Sequence, residues 1–332
     1  MRVLLRLICM GDLVFNCTPV STRLETMFPV RCSKAVIWSV GGVVKNVNFS
    51  AMEMGMNNIK LVATDLDGTF LKNDRSISEP NLLALKQLGD RNITRVVATG
   101  RNLRKVREVI PDDIPFDYII YSSGAGVFDW KRKQHLFNQN IGKEAAQNLA
   151  RFFIREKLNF HAFFPAPENH NHWYFRGENH CEEFERYFQF NQAFALDLNE
   201  NEIPDSEVCQ FLLIIPEDTE QFGLLKTQIE SIDDKIRVIR TSSPISQGYI
   251  WVEIFHQTVS KGNGVKQICD WLGIDKKDTF GIGNDYNDLD LLEFTGYSFL
   301  TDNAPPAIKS FYPTVPSNDN DAFAWAVQPI VV

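Results

Sequence analysis

From residue 57 to the C-terminus, short apolar runs alternate with amphipathic stretches, and this alternation constrains the fold more than any other feature. "IKLVATDLD" (59–67) reads as a buried strand, "SEPNLLALKQLGDRN" as an amphipathic helix opened by Ser78 and Pro80, and "TRVVATGR" as a second apolar strand. A strand–helix–strand run of this kind predicts a parallel sheet with right-handed crossovers, a doubly wound, Rossmann-like α/β core. The helix "RNLRKVREVI", the strand and turn "DYIIYSSGAGVFD" and the helix "KEAAQNLARFFIREKL" continue the pattern. Between residues 159 and 245 it changes. Aromatic-rich strands ("NFHAFFPA", "HWYFRG", "VCQFLLIIP", "IRVIRTS") are separated by helical stretches, as expected of an inserted α+β domain. The doubly wound pattern is expected to resume at "YIWVEIFH", followed by the helix "GNGVKQICDWLG", the strand "DTFGIG" and the helix "YNDLDLLEFT". The domain reading is a leader (1–56), a core in two parts (57–138 and 247–332) and an α+β cap (139–246).

The first 56 residues are foreign to this pattern. They contain all six methionines and, with six Lys or Arg against three Asp or Glu, are net positive in a chain of formal net charge −8. "MRVLLRLICMGDLVF" has the outline of a signal peptide, but Arg6 and Asp12 interrupt its apolar run and no clean cleavage site follows. The reading is that translation begins at Met52, Met54 or Met56 and that the upstream residues are a disordered or spurious extension. A targeting leader is the alternative. No stretch of ~18 uncharged apolar residues occurs, so no membrane partner is expected. The negative balance argues against a broad basic face for nucleic acid. Cys9, Cys17, Cys32, Cys181, Cys209 and Cys269 show no CxxC or zinc-like spacing and read as reduced thiols of a cytoplasmic protein.

Ligands of open parallel sheets bind outside the carboxyl ends of the strands. Asp65 and Asp67, then Thr99, then Gly283 with its acidic neighbours all fall just past such ends. Lys261, in "TVSKGNG" before a helix, reaches the same edge. Taken in order, "DLDGT" (65–69), "ATGR" (98–101), "VSKG" (259–262) and "GNDYND" (283–288) resemble the haloacid dehalogenase superfamily, and within it the Cof-like sugar-phosphatase branch with a large C2-type cap. The resemblance covers the chain from Ile59 to the C-terminus, and the ordered set of four makes it specific.

The chemistry this implies accounts for the paired aspartates. Asp65 is the expected nucleophile, forming an aspartyl-phosphate. Asp67 is the expected acid and base, protonating the leaving alkoxide and then deprotonating the attacking water, with its carbonyl facing the metal. Two carboxylates and a phosphate call for a hard cation, and Mg²⁺ fits. Gly68 allows the tight turn and Thr69 holds it. Thr99 and Lys261 are expected at the non-bridging oxygens, with Gly100, Arg101, Ser123 and Asn287 as further substrate-binding residues. Arg101 is equally open to pairing with a surface acid. In "SSGAG", Ser123 stands where the family more often has Asn.

The fourth motif departs from the family's Gly-Asp-x-x-Asn-Asp, because Asn284 stands at the first ligand position. The expected metal set is Asp65, Asp67, Asn284 and Asp288, with Asp285 as an adjacent alternative. The insert carries His161, His170, His172 and His180 in no zinc-like spacing, so these read as solvent-facing or substrate-facing cap residues. The reading is a Mg²⁺-dependent phosphomonoesterase acting on a small phosphorylated metabolite, a sugar phosphate by preference. A phosphomutase using the same intermediate, and a non-catalytic sugar-phosphate sensor, are the alternatives. The oligomeric state is not legible.

Overall fold

The computed structural model describes residues 36–40, 43–47, 56, 58–198 and 205–331. Residues 1–52 and 53–332 form separate compact units. In the first, β1 (Val36–Val40) and β2 (Val43–Val47) pair antiparallel. The remainder of the expected leader lies outside the described residues, apart from Met56, which is buried and accepts a hydrogen bond from Ile59 N–H.

The second unit contains two sheets. β3 (Leu61–Thr64), α1 (Glu79–Asp90), β4 (Thr94–Ala98), α2 (Leu103–Arg107) and β5 (Tyr118–Tyr121) open the first, and β6 (Gly126–Asp129) and β7 (Gln134–Asn138) turn back along its edge. The chain then passes through α3 (Lys143–Arg155) into the second sheet. That sheet holds β8 (Phe160–Phe163), β9 (His172–Phe175), α4 (Glu182–Asn191), β10 (Ala195–Asp197), β11 (Phe211–Pro216), α5 (Thr219–Glu230), β12 (Ile236–Ser242) and β13 (Tyr249–His256). The return runs through α6 (Lys261–Leu272), β14 (Thr279–Gly283), α7 (Leu289–Phe294), β15 (Tyr297–Thr301), α8 (Pro306–Lys309), β16 (Thr314–Val315) and α9 (Ala322–Val331).

The first sheet has the order β16-β15-β14-β3-β4-β5-β6-β7, parallel from β16 to β5. It is the doubly wound α/β core that the strand–helix alternation predicts. Ser78 caps α1 by accepting from Asn81 N–H, and Pro80 occupies its first turn. On one face Leu61, Ala63, Val96, Ala98 and Ile120 pack against Val265 and Ile268 of α6. On the other, Phe70 meets Phe116 and Phe323 edge-on, and Asn81 Oδ1 accepts from Ala324 N–H to tie α1 to α9. Each such fully buried side chain contributes about 1.5–3 kcal/mol.

The second sheet has the order β10-β9-β8-β11-β13-β12. One face buries Phe160, Phe211, Val252 and Ile254 against Leu149 and Phe153 of α3 and Ile229 of α5. Here the sequence reading needs two corrections. The strand "YIWVEIFH", expected to resume the parallel core, is β13 and pairs antiparallel with β11 and β12. An apolar run marks a buried strand but not its partner, and the turn after β12 folds β13 straight back onto it. Second, His161 and His172 face neither solvent nor substrate: both are fully buried. In β8, Phe160 and Ala162 face α3, so His161 points to the opposite face. There α4 covers it, with Phe184 stacked on the His161 ring at 4.4 Å and Tyr187 edge-on to Trp251. Among the described residues no helix is long and apolar enough to cross a membrane, and Cys181, Cys209 and Cys269 are unpaired.

Candidate active site

The connections diverge at β3: the chain runs outward on one side through β4 and β5 and later on the other through β14, β15 and β16. The carboxyl ends of β14, β3, β4 and β5 are therefore neighbours at a switch point, where doubly wound sheets bind ligands. The loops leaving them interlock. Asp65 N–H donates to Ile282 O (2.9 Å), Thr99 N–H to Ile120 O (2.9 Å), Ser123 N–H to Thr99 O (2.9 Å) and Ser122 N–H to Arg101 O (2.8 Å). Four segments far apart in sequence become one rigid rim.

Lys261 is its hub. It is the first residue of α6, whose N-cap Ser260 accepts from Asn263 N–H, and its side chain is 1% exposed. Nζ donates to Asp65 Oδ1 (2.7 Å), Asp288 Oδ1 (2.6 Å) and Asn287 Oδ1 (3.3 Å). Burial favours the neutral amine, but the Asp288 and Asp65 carboxylates outweigh it and the Lys261 pKa is raised. Burial pushes the Asp65 carboxyl up to about 8 against the pull of Lys261, with Asp288 adding to the push. A cation beside Asp65 would favour its charged form.

Asp67 behaves differently. Its side chain is 47% exposed and gripped by Arg101, with Nε donating to Oδ2 and Nη2 to Oδ1, both at 2.6 Å. Arg101 is paired with an acid here, and that acid is the second motif aspartate. Gly68, at φ +72°, lets the turn double back, and a Cβ there would lie 2.6 Å from Asn284 Nδ2.

Asn284 lies against this turn. With Nδ2 inward it donates to Asp67 O (2.9 Å), Asp65 Oδ2 (3.1 Å) and Thr69 Oγ1 (3.1 Å). With Oδ1 inward it accepts from Thr69 Oγ1 at 3.1 Å and completes a cluster of three oxygens. Octahedral Mg²⁺ holds oxygens at about 2.0–2.1 Å, so adjacent ligands stand about 2.9 Å apart, which the 2.9 and 3.1 Å separations of the Asn284 amide from Asp67 O and Asp65 Oδ2 match. A carboxylate, a main-chain carbonyl and an amide therefore fit a small divalent cation, although among the described residues no three His, Cys, Asp or Glu side chains gather in a metal cluster.

Asp288 does not join that cluster. Its Oδ1 is held by Lys261, and its Oδ2 accepts from Asn284 N–H (2.8 Å) and Asp285 N–H (2.9 Å), so it shapes the loop from behind. Asp285 turns away altogether and accepts from Ser242 N–H and Ser242 Oγ, both at 2.8 Å, on β12 of the second sheet. Burial raises the Asp285 pKa against these bonds.

Thr99, Gly100, Ser123 and Asn287, expected on the substrate side, lie together on the rim. Measured from a Cβ placed on Gly100, Ser123 Oγ is 3.6 Å and Asn287 Nδ2 3.8 Å away. Ser122 and Ser123 both adopt left-handed backbone (φ 48° and 55°), and Ser123 Oγ is buried without a partner. Gly124, at φ +107°, sits so close to α6 that a Cβ would meet Ser260 O at 2.3 Å. Two consecutive left-handed serines are strained, and such strain collects at functional sites.

Sequence reasoning missed the residues that the second sheet brings to this rim. Asn169, in the β8–β9 loop, donates from Nδ2 to Ser122 Oγ at 2.7 Å, and Ser242 reaches Asp285. No spacing pattern marks either residue, because each is defined by a partner distant in sequence.

Three comparisons bear on this geometry. A family model described as haloacid dehalogenase-like hydrolase matches residues 62–327. The chain is 25% identical over 255 residues to an HMP-PP phosphatase of Klebsiella pneumoniae (strain 342), covering 76% of this chain and 88% of the relative. It is 24% identical over 302 residues to the 5-amino-6-(5-phospho-D-ribitylamino)uracil phosphatase YwtE of Bacillus subtilis (strain 168), covering 82% and 98%. Among solved structures it is similar in fold to the phosphatase BT1666 of Bacteroides thetaiotaomicron (TM-score 0.66, 19% identity, 82% of this chain and 96% of the other). It is also similar to BT4131, described as a HAD subclass IIB sugar phosphatase (TM-score 0.64, 18% identity, 82% and 100%).

Proposed function

Since the chain belongs to the haloacid dehalogenase-like hydrolase family and is one of its phosphatases, we propose that it hydrolyses a small phosphate monoester through an aspartyl-phosphate on Asp65, with Mg²⁺ as the divalent cation. The observation that carries the reading is the contrast between the two motif aspartates. Asp65 is buried and held by Lys261 at 2.7 Å, as an in-line nucleophile must be. Asp67 is the open carboxylate, as a group that exchanges protons with a leaving alkoxide and then with water must be.

Asp65 Oδ attacks phosphorus, the P–O bond to the leaving group breaks, and Asp67 protonates the departing oxygen. Water, deprotonated by Asp67, then attacks the phosphorus of the aspartyl-phosphate and frees Asp65. The Thr99 hydroxyl, Ser123 Oγ and Asn287 Nδ2 supply donors for the non-bridging oxygens, and Lys261, whose three N–H groups are held by Asp65, Asp288 and Asn287, supplies positive charge beside them. Arg101 keeps Asp67 oriented through both steps. A cation held by Asp65, the Asp67 carbonyl and Asn284 would offset the charge of phosphate against carboxylate. The names of the two phosphatase relatives and of BT4131 support a small phosphorylated metabolite, with a sugar phosphate first. The unpaired thiols support the cytoplasmic placement.

The test is a panel of phosphate monoesters assayed for free phosphate with Mg²⁺ or with chelator. Activity with Mg²⁺ and its loss in Asp65→Asn, with melting temperature kept, is the expected result. Asp67→Asn should phosphorylate slowly and release poorly, leaving a phosphoryl adduct on the peptide containing Asp65. An active Asp65→Asn protein would overturn the mechanism.

A further inference from the structure

One side chain of the second sheet grips the most strained part of the rim. Asn169, in the β8–β9 loop, is 1% exposed, as are Ser122 and Ser123. Its Nδ2 donates to Ser122 Oγ (2.7 Å) and to Cys209 Sγ (3.2 Å), which fixes the plane of the amide. Its Oδ1 is left buried without a partner. A buried acceptor without a donor is destabilising, so the amide holds Ser122 although its own oxygen goes unsatisfied. The loop around it is fastened to the first sheet as well. Asn138 Nδ2 donates to Ala166 O (2.8 Å), Ala166 N–H to Asn140 Oδ1 (3.0 Å), and Asn102, the residue after Arg101, reaches Asn169 O from Nδ2 (3.5 Å).

Ser122 and Ser123 both have left-handed backbone, a conformation in which Cβ crowds the following carbonyl. Their main chain is pinned from one side by Ser122 N–H on Arg101 O and Ser123 N–H on Thr99 O, and Gly124 lies too close to Ser260 for any side chain. Those contacts hold backbone atoms. Among the described residues, only Asn169 holds the Ser122 hydroxyl. Without that bond the two serines can relax toward ordinary backbone, and Ser123 Oγ, buried without a partner and close to Gly100, would turn with them.

We propose that Asn169 is a positioning residue for the reaction: from the second sheet it holds Ser122, and through Ser122 the strained turn that presents Ser123 Oγ to a non-bridging oxygen of the substrate. This rests on the phosphatase reading above. Asn169 itself touches no substrate. The second sheet thereby completes the phosphoryl-binding rim of the first.

The test uses the full chain with Mg²⁺, p-nitrophenyl phosphate and the alkyl phosphate of the panel above that is hydrolysed fastest, with inorganic phosphate as competing ligand. Asn169→Ala removes the donor and Ser122→Ala its acceptor. In each, kcat/KM should fall about tenfold, alike for both esters because the loss lies on the phosphoryl side, and the inhibition constant of inorganic phosphate should rise at least about threefold. The Asn169→Ala/Ser122→Ala double variant should fall no further than either single one, since both remove the same bond. A partly unfolded enzyme would lose activity with an unchanged phosphate constant, so that constant separates positioning from folding. Either single variant carries the test if the other fails to fold. Kinetics within about twofold of wild type in a folded variant, losses that differ more than about threefold between the esters, additive losses or an unchanged phosphate constant each overturn the proposal. Failure of both single variants to fold overturns it too, by making the bond structural. An active wild type with indifferent variants removes this proposal alone; a wild type that hydrolyses no ester removes the phosphatase reading and this proposal with it.

Discussion

At Asn284 a neutral amide occupies the position where the resembling family carries a carboxylate, and the structure gives that exchange a physical meaning. With Nδ2 inward, the amide is a donor among three oxygens, and the turn satisfies its own acceptors. A carboxylate in its place would stand about 3 Å from Asp65, with repulsion of about 5 kcal/mol at an effective dielectric near 20, before any relaxation. Asn284→Asp should therefore melt lower than wild type in chelator yet gain more from Mg²⁺, with turnover unchanged or reduced. Melting curves with and without Mg²⁺ check this, and equal metal-induced shifts in the two proteins would refute it. Asp285→Ala should retain the metal-induced shift that Asn284→Ala loses, since Asp285 bonds Ser242 instead. The meeting of Asp65, Asp67 and Thr99 at one sheet edge was legible because each directly follows a core strand, whereas Lys261 follows β13 of the second sheet and reaches that edge as the first residue of α6. The division of labour among Asn284, Asp285 and Asp288 was not, because neighbouring acids in one turn differ only in the direction each points.

The elements were legible where periodicity spoke, and less so where pairing decided. α1 and α3 lie within the stretches whose apolar spacing marks them and α6 begins one residue ahead of its own, whereas β13 could be assigned to a sheet only by knowing that β12 turns back onto it. The face covered by α4 was equally hidden, and it has a consequence for pH. His161 and His172 are fully buried, both His161 ring nitrogens are unpartnered, and the pair is enclosed by Phe163, Phe184 and Tyr187. Burial lowers the His172 pKa to about 4 and holds His161 well below the usual value, where His172 and Arg176 reinforce the effect. The unfolded chain then takes up these protons first, so stability is full above about pH 6.5 and is lost as pH falls toward 4. For His172 alone the loss approaches about 3 kcal/mol. Melting temperature should fall over that interval, and a folded His161→Phe/His172→Phe double variant should show a flatter profile. Parallel profiles in the two proteins would mean that carboxylates elsewhere carry the acid sensitivity.

For the whole molecule, two layers of structure could be read from the alternation of strands and helices, but nothing in the sequence showed how they meet. They meet at Asn169 on Ser122 and through β12. Ser242 gives Asp285 two hydrogen bonds, Arg237 pairs with Asp290 at 2.5 Å, and the Arg240 guanidinium lies 4.4 Å from the centre of the Tyr286 ring. All three contacts fall on residues 285–290, directly after Asn284. Asp65 and Lys261 are nearly sealed from solvent, so a substrate that reaches them requires the surrounding structure to move, and this junction bears on the loop beside the expected metal position. Ser242→Ala deletes the hydroxyl bond to a buried carboxylate while sparing the backbone one. Hydrogen bonds to charged groups are worth about 1.5–3 kcal/mol, so removing this one should shift the junction toward the open state by about tenfold or more. Amide hydrogen exchange over residues 283–288 should quicken accordingly, and kcat/KM should fall by a similar factor while the melting temperature changes little. Ser242→Thr, which keeps a hydroxyl, should restore both. Unchanged exchange over that loop in Ser242→Ala would show that β12 touches the catalytic loop without controlling it.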